Sequence, residues 1–221
     1  MGYNDFLKGK RVVLIGPSWH TKGMKQSKLI SSYDIVVRMN MGYKYPKKIE
    51  KDIGGRTDIF YCAMSNYFFK HNTFEDLLKY QRDIKWIVGT GHHPQSIEKV
   101  KKIIPSKKIK FRNIDKKSYK KISSNLSKKV SCGYVVICDL LTYDIKELYV
   151  IGITFYHSDF IKGRRKLYYS GYNDKSWGLH PIRGHDTEGE LQGFIDMYLK
   201  DDRLKCDDML LKIINKYRDS K

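Results

Sequence analysis

The stretch "KRVVLIGPSW", residues 10–19, sets four apolar residues in succession, Val12 to Ile15, directly before Gly16-Pro17-Ser18. An unbroken apolar run of that length reads as a strand buried on both faces. Small residues then make a turn, and a strand followed by such a turn and a helix is how doubly wound α/β folds begin. Working outward, "YDIVVRMN" (33–40), "DIFYCA" (58–63), "IKWIVGT" (84–90), the short "KIKFRNI" (108–114) and "KELYVIGITFY" (146–156) read as further strands. Between and after them, "TFEDLLKY" (73–80), "SIEKVKKIIP" (96–105, ended by Pro105), "SCGYVVICDLLTY" (131–143, with Ser131 as N-cap), "EGELQGFIDMYLKDD" (188–202) and "CDDMLLKIINKYRDSK" (206–221) have helical spacing.

Strands alternating with helices predict a single α/β domain over residues 1–221, a doubly wound, mostly parallel sheet with helices on both faces. The last two helices fill about 188–221, and the chain is expected to enter its first strand almost directly. In such sheets the ligand crevice lies beyond the carboxyl ends of the strands. That rule puts Gly16-Pro17-Ser18, Asn40, Tyr61-Cys62 and Ile153–Tyr156 along one rim.

Hydrophobic residues make up 41% of the 221, enough for a sizeable core. The four cysteines are scattered, which fits free thiols in a reducing compartment. There is neither an 18-residue apolar run nor a signal-peptide core, and Phe6 breaks the myristoylation pattern that Met1-Gly2 would open. A cytoplasmic protein is expected. The net charge of +19 is compatible with nucleic acid, an anionic membrane surface or an anionic substrate. Much of it lies in "KVKKIIPSKKIKFRNIDKKSYKKISSNLSKK" (99–129), where only Phe111 and Tyr119 are aromatic. A single-strand platform interleaves aromatics with basic residues. The run therefore reads as a solvated lysine face, which argues against nucleic acid and leaves a weak contact with an anionic membrane surface open.

At the rim, Gly16-Pro17-Ser18 is neither GxGxxG nor a Walker loop. The amide of Asn40 offers both a donor and an acceptor, which suits a nucleobase edge. His92, His93, His180 and His185 form no HExxH, and no DxD occurs, so no metal cofactor is expected. No GxSxG elbow occurs either. "HPIRGHDTEGELQGF" (180–194) holds His180, His185, Glu188 and Glu190. Spacing alone leaves it open as a proton-transfer element, a metal site or the polar entry to a helix.

These segments resemble the sialyltransferases. "VVLIGPSW…YDIVVRMNMGYKYPKKIEKDIGGRTDIFY" is similar to the large sialylmotif of family 29, with Arg38-Met39-Asn40 at the R-M-N and Asp52 to Thr57 at the D-x-G-x-R-T. "VSCGYVVICDLLTYDIKELYVIGITFY" resembles the small motif and also the corresponding region of bacterial family 42. "HDTEGE" fits the very small motif, H-x-x-x-x-E, at His185 and Glu190. The resemblance covers about residues 11–195. It implies one Rossmann-like domain of the GT-A-like sialyltransferase variant, using CMP-sialic acid and a glycan acceptor without a metal.

By that resemblance Gly16, Pro17, Ser18, Asn40 and Cys62 line the CMP pocket, and Ser131, Cys132 and Gly133 cradle donor groups at a helix N-terminus. Helix N-termini independently favour anions. His185 is implied as general base, with Glu190 orienting its ring or capping the helix start. Tyr156, Tyr168 and Tyr169 are implied near the leaving phosphate, and a phenol suits that place because it donates a hydrogen bond.

Departures accompany the match. Val12 and the Tyr143–Asp144 region stand where animal enzymes carry a disulfide pair. Cys62 replaces an asparagine of the bacterial family, and Tyr168 stands where family 29 has a histidine. Three other readings compete: another CMP-activated acidic sugar such as Kdo, a basic nucleic-acid-binding domain, and a non-catalytic glycan binder. Acceptor, linkage and oligomeric state are not legible.

Overall fold

The structure is a computed structural model that describes residues 1–43, 45, 47–64, 77–79, 83–91, 94–104, 108–157 and 184–220. Strands β1 (Arg11–Ile15), β2 (Ile35–Met39), β3 (Ile59–Cys62), β4 (Trp86–Gly89), β5 (Lys110–Asn113), β6 (Glu147–Ile151) and β7 (Leu204–Cys206) form one sheet in the order β5-β4-β3-β2-β1-β6-β7. Every pairing is parallel; Val12 lies opposite Ile35 on one side and Leu148 on the other. The chain runs outward from β1 to β5, then returns to the far side of β1 at β6. The order therefore reverses between β1 and β6, which is the topological switch point.

Strand alternation explains the continuous apolar runs. Val12 and Leu14 share a core with Val37, Leu148 and Val150, covered by helices α1 (Tyr3–Leu7), α6 (Cys132–Leu141), α7 (Thr187–Lys200) and α8 (Asp208–Asp219). Val13, Ile15, Val36 and Ile151 face the other way, onto Ile30 of α2 (Ser27–Ser31) and Ile53 of α3 (Glu50–Ile53). Farther along that second face, Phe60, Cys62 and Ile87 pack with Val100 of α4 (Pro94–Ile103). Helix α5 (Lys116–Ser123) holds Tyr119 and Ile122 against the first core, and Lys116, Lys117, Lys120 and Lys121 are exposed on it.

The doubly wound reading holds, and three details differ. Helix α1 precedes the first strand, because Tyr3 and Leu7 are buried one turn apart. The strand expected over 146–156 ends at Ile151, where Gly152 turns the backbone at φ +75°. Between the two last helices lies β7, three residues long and too short to announce itself as a periodic pattern. Of the helix expected over 73–80, residues 77–79 are described and helical. Among the described residues no helix is long and apolar enough to cross a membrane.

Candidate active site

The carboxyl edge of the sheet concentrates strained backbone. Five described non-glycine residues have left-handed φ, and four of them (Asn40, Met64, Phe155 and Tyr156) lie within five residues past the ends of β2, β3 and β6. Such conformations cost roughly 1–3 kcal/mol each and cluster where a fold builds a site. At the switch point the backbones of β1 and β6 continue to pair beyond the strands: Gly16 N–H donates to the Ile151 carbonyl at 2.7 Å and Ser18 N–H to the Gly152 carbonyl at 3.1 Å. A Cβ on Gly16 would strike the Gly152 carbonyl, so glycine here serves close approach. Pro17 fixes φ in the turn between Gly16 and Ser18.

Most of the arginine-rich large motif serves architecture. Arg38 is fully buried; its Nη2 donates to the carbonyls of Ile53 and Gly54, both at 2.7 Å, and its Nε to Thr57 Oγ1 at 3.1 Å. Asp58 accepts from Val36 N–H at 2.9 Å and pairs with Arg56 at 3.0 Å. These contacts fix the connection that delivers β3 beside β2.

Asn40 reaches the rim itself. Its Oδ1 accepts from Ala63 N–H at 2.9 Å, tying the end of β2 to the end of β3. Thr90, just past β4, donates its hydroxyl to Cys132 Sγ at 3.7 Å and its N–H to the Cys62 carbonyl at 2.8 Å. Cys132 also takes a side-chain hydrogen bond from Asn40, and burial pushes its thiol up to about 12, so it is held as a thiol. The first turn of α6 thus sits over the ends of β2 and β4.

The expected pocket role of Cys62 is corrected here. Its side chain is fully buried with Phe60 and Met64 in the second-face core, and its sulfur accepts from Met64 N–H at 3.4 Å. Alternation turns Tyr61 toward α6 and Cys62 away from it, so only the Cys62 carbonyl reaches the rim.

At the other end of the rim, Phe155 is buried against Tyr134 and Phe194, which turns Tyr156 outward. The Tyr156 ring lies parallel to the His185 imidazole, 7° between planes and 6.5 Å between centroids. His185 Nδ1 lies 2.9 Å from the Lys129 carbonyl. A carbonyl only accepts, so Nδ1 carries the hydrogen and, in the neutral ring, Nε2 carries the lone pair.

Glu190 does not orient that ring, and it does not cap the helix. Its two oxygens accept from Ser131 N–H and Ser131 Oγ–H, each at 2.5 Å, and the cap of α7 is Asp186, whose Oδ1 accepts from Gly189 N–H at 3.1 Å. Ser131 in turn caps α6 by accepting from Tyr134 N–H. Glu190 is fully buried, and desolvation pushes its carboxyl up to about 7 against the opposing pull of the Ser131 bonds.

The site therefore gathers Asn40, Cys132 and Gly133 at one end and Tyr156 with His185 at the other, with Ser131–Glu190 behind. Tyr168, Tyr169, His180 and the pair His92-His93 lie outside the described residues. Among the described residues no three metal-ligating side chains converge. Sequence reasoning missed Thr90 and the Lys129 carbonyl. It also missed His20 and Asp207, which join Ser18 in a buried chain: His20 Nδ1 is 2.9 Å from Ser18 Oγ and its Nε2 3.0 Å from Asp207 Oδ2. Only the capping pattern of Asp207 before a helix signals any of these; contacts 187 residues apart leave no local trace.

A mammalian sialyltransferase in complex with Gal-beta-1-3GalNAc-ortho-nitrophenol is 16% identical with a TM-score of 0.61, covering 93% of this chain and 71% of that one. The sialyltransferase CstII from Campylobacter jejuni, in complex with the substrate analogue cytidine-5'-monophosphate, is 16% identical with a TM-score of 0.63, over 92% and 83%. At those identities the likeness shows a shared fold. No curated protein matches the chain. The model of glycosyltransferase family 29 (sialyltransferase) matches residues 7–183, so by sequence this chain belongs to that family of glycosyltransferases.

Proposed function

We propose that the enzyme transfers sialic acid from CMP-sialic acid to a glycan hydroxyl, inverting the anomeric carbon, with His185 as general base and no metal. The observation that carries this reading is the hydrogen bond from His185 Nδ1 to the Lys129 carbonyl, which makes Nε2 the basic nitrogen. The acceptor oxygen attacks the anomeric carbon, its proton passes to Nε2, and the bond to phosphate breaks to release CMP. An imidazole suits that proton transfer near neutral pH.

The donor phosphate is taken to meet the first turn of α6. Helix-start N–H groups lack intrahelical partners and favour anions. Because the Ser131 hydroxyl hydrogen is committed to Glu190, the N–H groups of Cys132 and Gly133 are the natural donors. Asn40, Gly16 and Ser18 border the nucleoside, with Tyr156 beside the base and Tyr168 and Tyr169 as donors to the leaving phosphate. The CMP bound to CstII and the disaccharide derivative on the mammalian enzyme support donor and acceptor of these classes.

The test is transfer and donor hydrolysis with CMP-sialic acid in the presence of EDTA, comparing wild type with His185→Ala and running CMP-Kdo as a parallel donor. EDTA-insensitive activity that vanishes in the variant is expected. Absence of any CMP binding would sink the reading, and turnover of CMP-Kdo alone would transfer it to the other sugar.

A further inference from the structure

The chain Ser18–His20–Asp207 spans the switch point; Ser18 borders the proposed nucleoside, and nothing in the mechanism above uses the buried His20 and Asp207 behind it. His20 and Asp207 are buried and Ser18 is half-buried at the carboxyl end of β1. Asp207 is fully engaged: Oδ2 accepts from His20 Nε2 at 3.0 Å and from Gly152 N–H at 2.8 Å, and Oδ1 accepts from Leu210 N–H at 2.9 Å. A carboxylate with two backbone donors on it acts as an acceptor toward the imidazole. Nε2 therefore carries the ring hydrogen, and Nδ1 of the neutral ring is the acceptor. Ser18 Oγ, 2.9 Å away, then spends its one hydrogen on Nδ1 and can only accept from anything else.

We infer that Asp207 and His20 are positioning residues that fix Ser18 as a pure hydrogen-bond acceptor in the crevice, selecting a nucleotide that presents a donor there, a ribose hydroxyl or the exocyclic amine of the base. This rests on the CMP-sugar reading above. The relay explains why two segments 187 residues apart converge in the buried interior behind one serine. It also gives the β1 loop a defined polarity, which a freely rotating hydroxyl would lack. The same serine cannot donate to a phosphate, so the phosphate belongs elsewhere along the rim.

Calorimetric titration of CMP, 2′-deoxy-CMP, 3′-deoxy-CMP and UMP into wild type, Ser18→Ala and Asp207→Leu tests the inference. The deoxy analogues remove one hydroxyl each and UMP replaces the amine, so the arms separate the two sources of the donor. Wild type should bind one analogue about 3- to 10-fold more weakly than CMP, the worth of one neutral hydrogen bond. Ser18→Ala should erase that difference. Asp207→Leu should erase it too, because with no acceptor left at Nε2 the ring hydrogen moves to Nδ1, where it bonds Ser18 Oγ and turns that hydroxyl into a donor.

Discrimination that survives in either variant, or its absence in wild type, overturns the inference while leaving CMP binding intact. Failure of wild type to bind CMP at all overturns the donor reading and this inference with it. Should Asp207→Leu not fold, the imidazole nitrogen shifts of His20 in the wild-type protein decide: hydrogen on Nε2 alone supports the relay, and any hydrogen on Nδ1 overturns it.

Discussion

Two buried carboxylates border helix α6, one at each end, and their surroundings differ. Asp139, in its last turns, accepts two bonds from Arg112 at 2.5 Å and one from the Tyr61 hydroxyl at 2.7 Å, and Tyr61 in turn meets Tyr3 at 2.7 Å. Burial first, and then the charge of Asp139, push the phenols of Tyr61 and Tyr3 well above their ordinary range. That cluster is closed and self-neutralising. Glu190, on α7, bonds Ser131 at the other end of α6, roughly 12 Å back along that helix from Asp139 by the rise of 1.5 Å per residue. Among the described residues it has Ser131 and no cation. The neutralised cluster staples α1, β3, β5 and α6 together. The un-neutralised one stands at the rim where an anionic ligand is proposed to dock. A fold tolerates an uncompensated carboxyl where that carboxyl holds a working element in place.

The largest effect expected at the rim is on rate. His185→Ala should lower kcat by about 10²- to 10⁴-fold, the usual worth of a positioned general base, with CMP affinity little changed. Steady-state kinetics with calorimetry separates the two. If Arg112→Leu lowered kcat comparably in folded protein, the division between a stapling end and a working end would collapse.

At the closed end the cost falls on stability. Arg112→Leu leaves Asp139 without its cation, and breaking a buried pair from one side costs about 3–5 kcal/mol. Arg112 retains some exposure, which points to the lower figure. Urea denaturation should show the loss, with CMP affinity of the folded fraction unaltered.

Glu190→Gln should do the opposite. The folded-state carboxyl lies near 7 and the ordinary value is 4.5. Between those values the folded protein holds a proton that the unfolded chain has released, so stability falls as pH rises across that window and the penalty is complete above it. Glutamine keeps one acceptor and one donor for Ser131 without a charge. The variant should exceed wild type by about 3 kcal/mol at pH 8 and match it near pH 4. A variant less stable than wild type at pH 8 would show that the negative charge itself is stabilising, and the contrast with Asp139 would disappear.

These contrasts mark what the sequence could and could not disclose. Strands such as Val12–Ile15 and Ile35–Met39 are legible because both faces are buried, and burial on both faces leaves an unbroken apolar run. The β7 strand is not, because three residues carry no period. Ser131 was legible as a cap, since the capping hydroxyl precedes its helix by one position. The motif pairs Glu190 with His185 in sequence, but a motif fixes spacing and not direction. On α7 the buried face of Glu190 points to Ser131, 59 residues back, while His185 precedes the helix and turns to Lys129. Ser18–His20–Asp207 was invisible for a related reason: Ser18 and His20 share one turn, but Asp207, which orients the ring, lies 187 residues away.

The smallest expected effect sharpens the rim end of the comparison. Asp186 caps α7 through Gly189 N–H and also accepts from Ser127 N–H at 2.6 Å and Ser127 Oγ–H at 2.8 Å. Those bonds, the Ser127 backbone bond foremost, hold its carboxyl below the usual range. Its stabilising contribution is therefore present above the ordinary carboxylate value and lost as pH falls through the lowered one. Asp186→Ala should cost about 1 kcal/mol as a lost cap, and Asp186→Asn, an equally good cap, should restore most of it. The same bonds tie residues 127–129 to the start of α7, and the Lys129 carbonyl is what holds His185. Asp186→Ala should thus also lower kcat by about 3-fold, on the order of the 0.6 kcal/mol that slight misplacement of a base is worth. Lys129→Ala should leave kcat unchanged, since the contact uses the main chain. A rate loss with Lys129→Ala but none with Asp186→Ala would mean that the lysine charge, rather than the anchored carbonyl, is what the site requires.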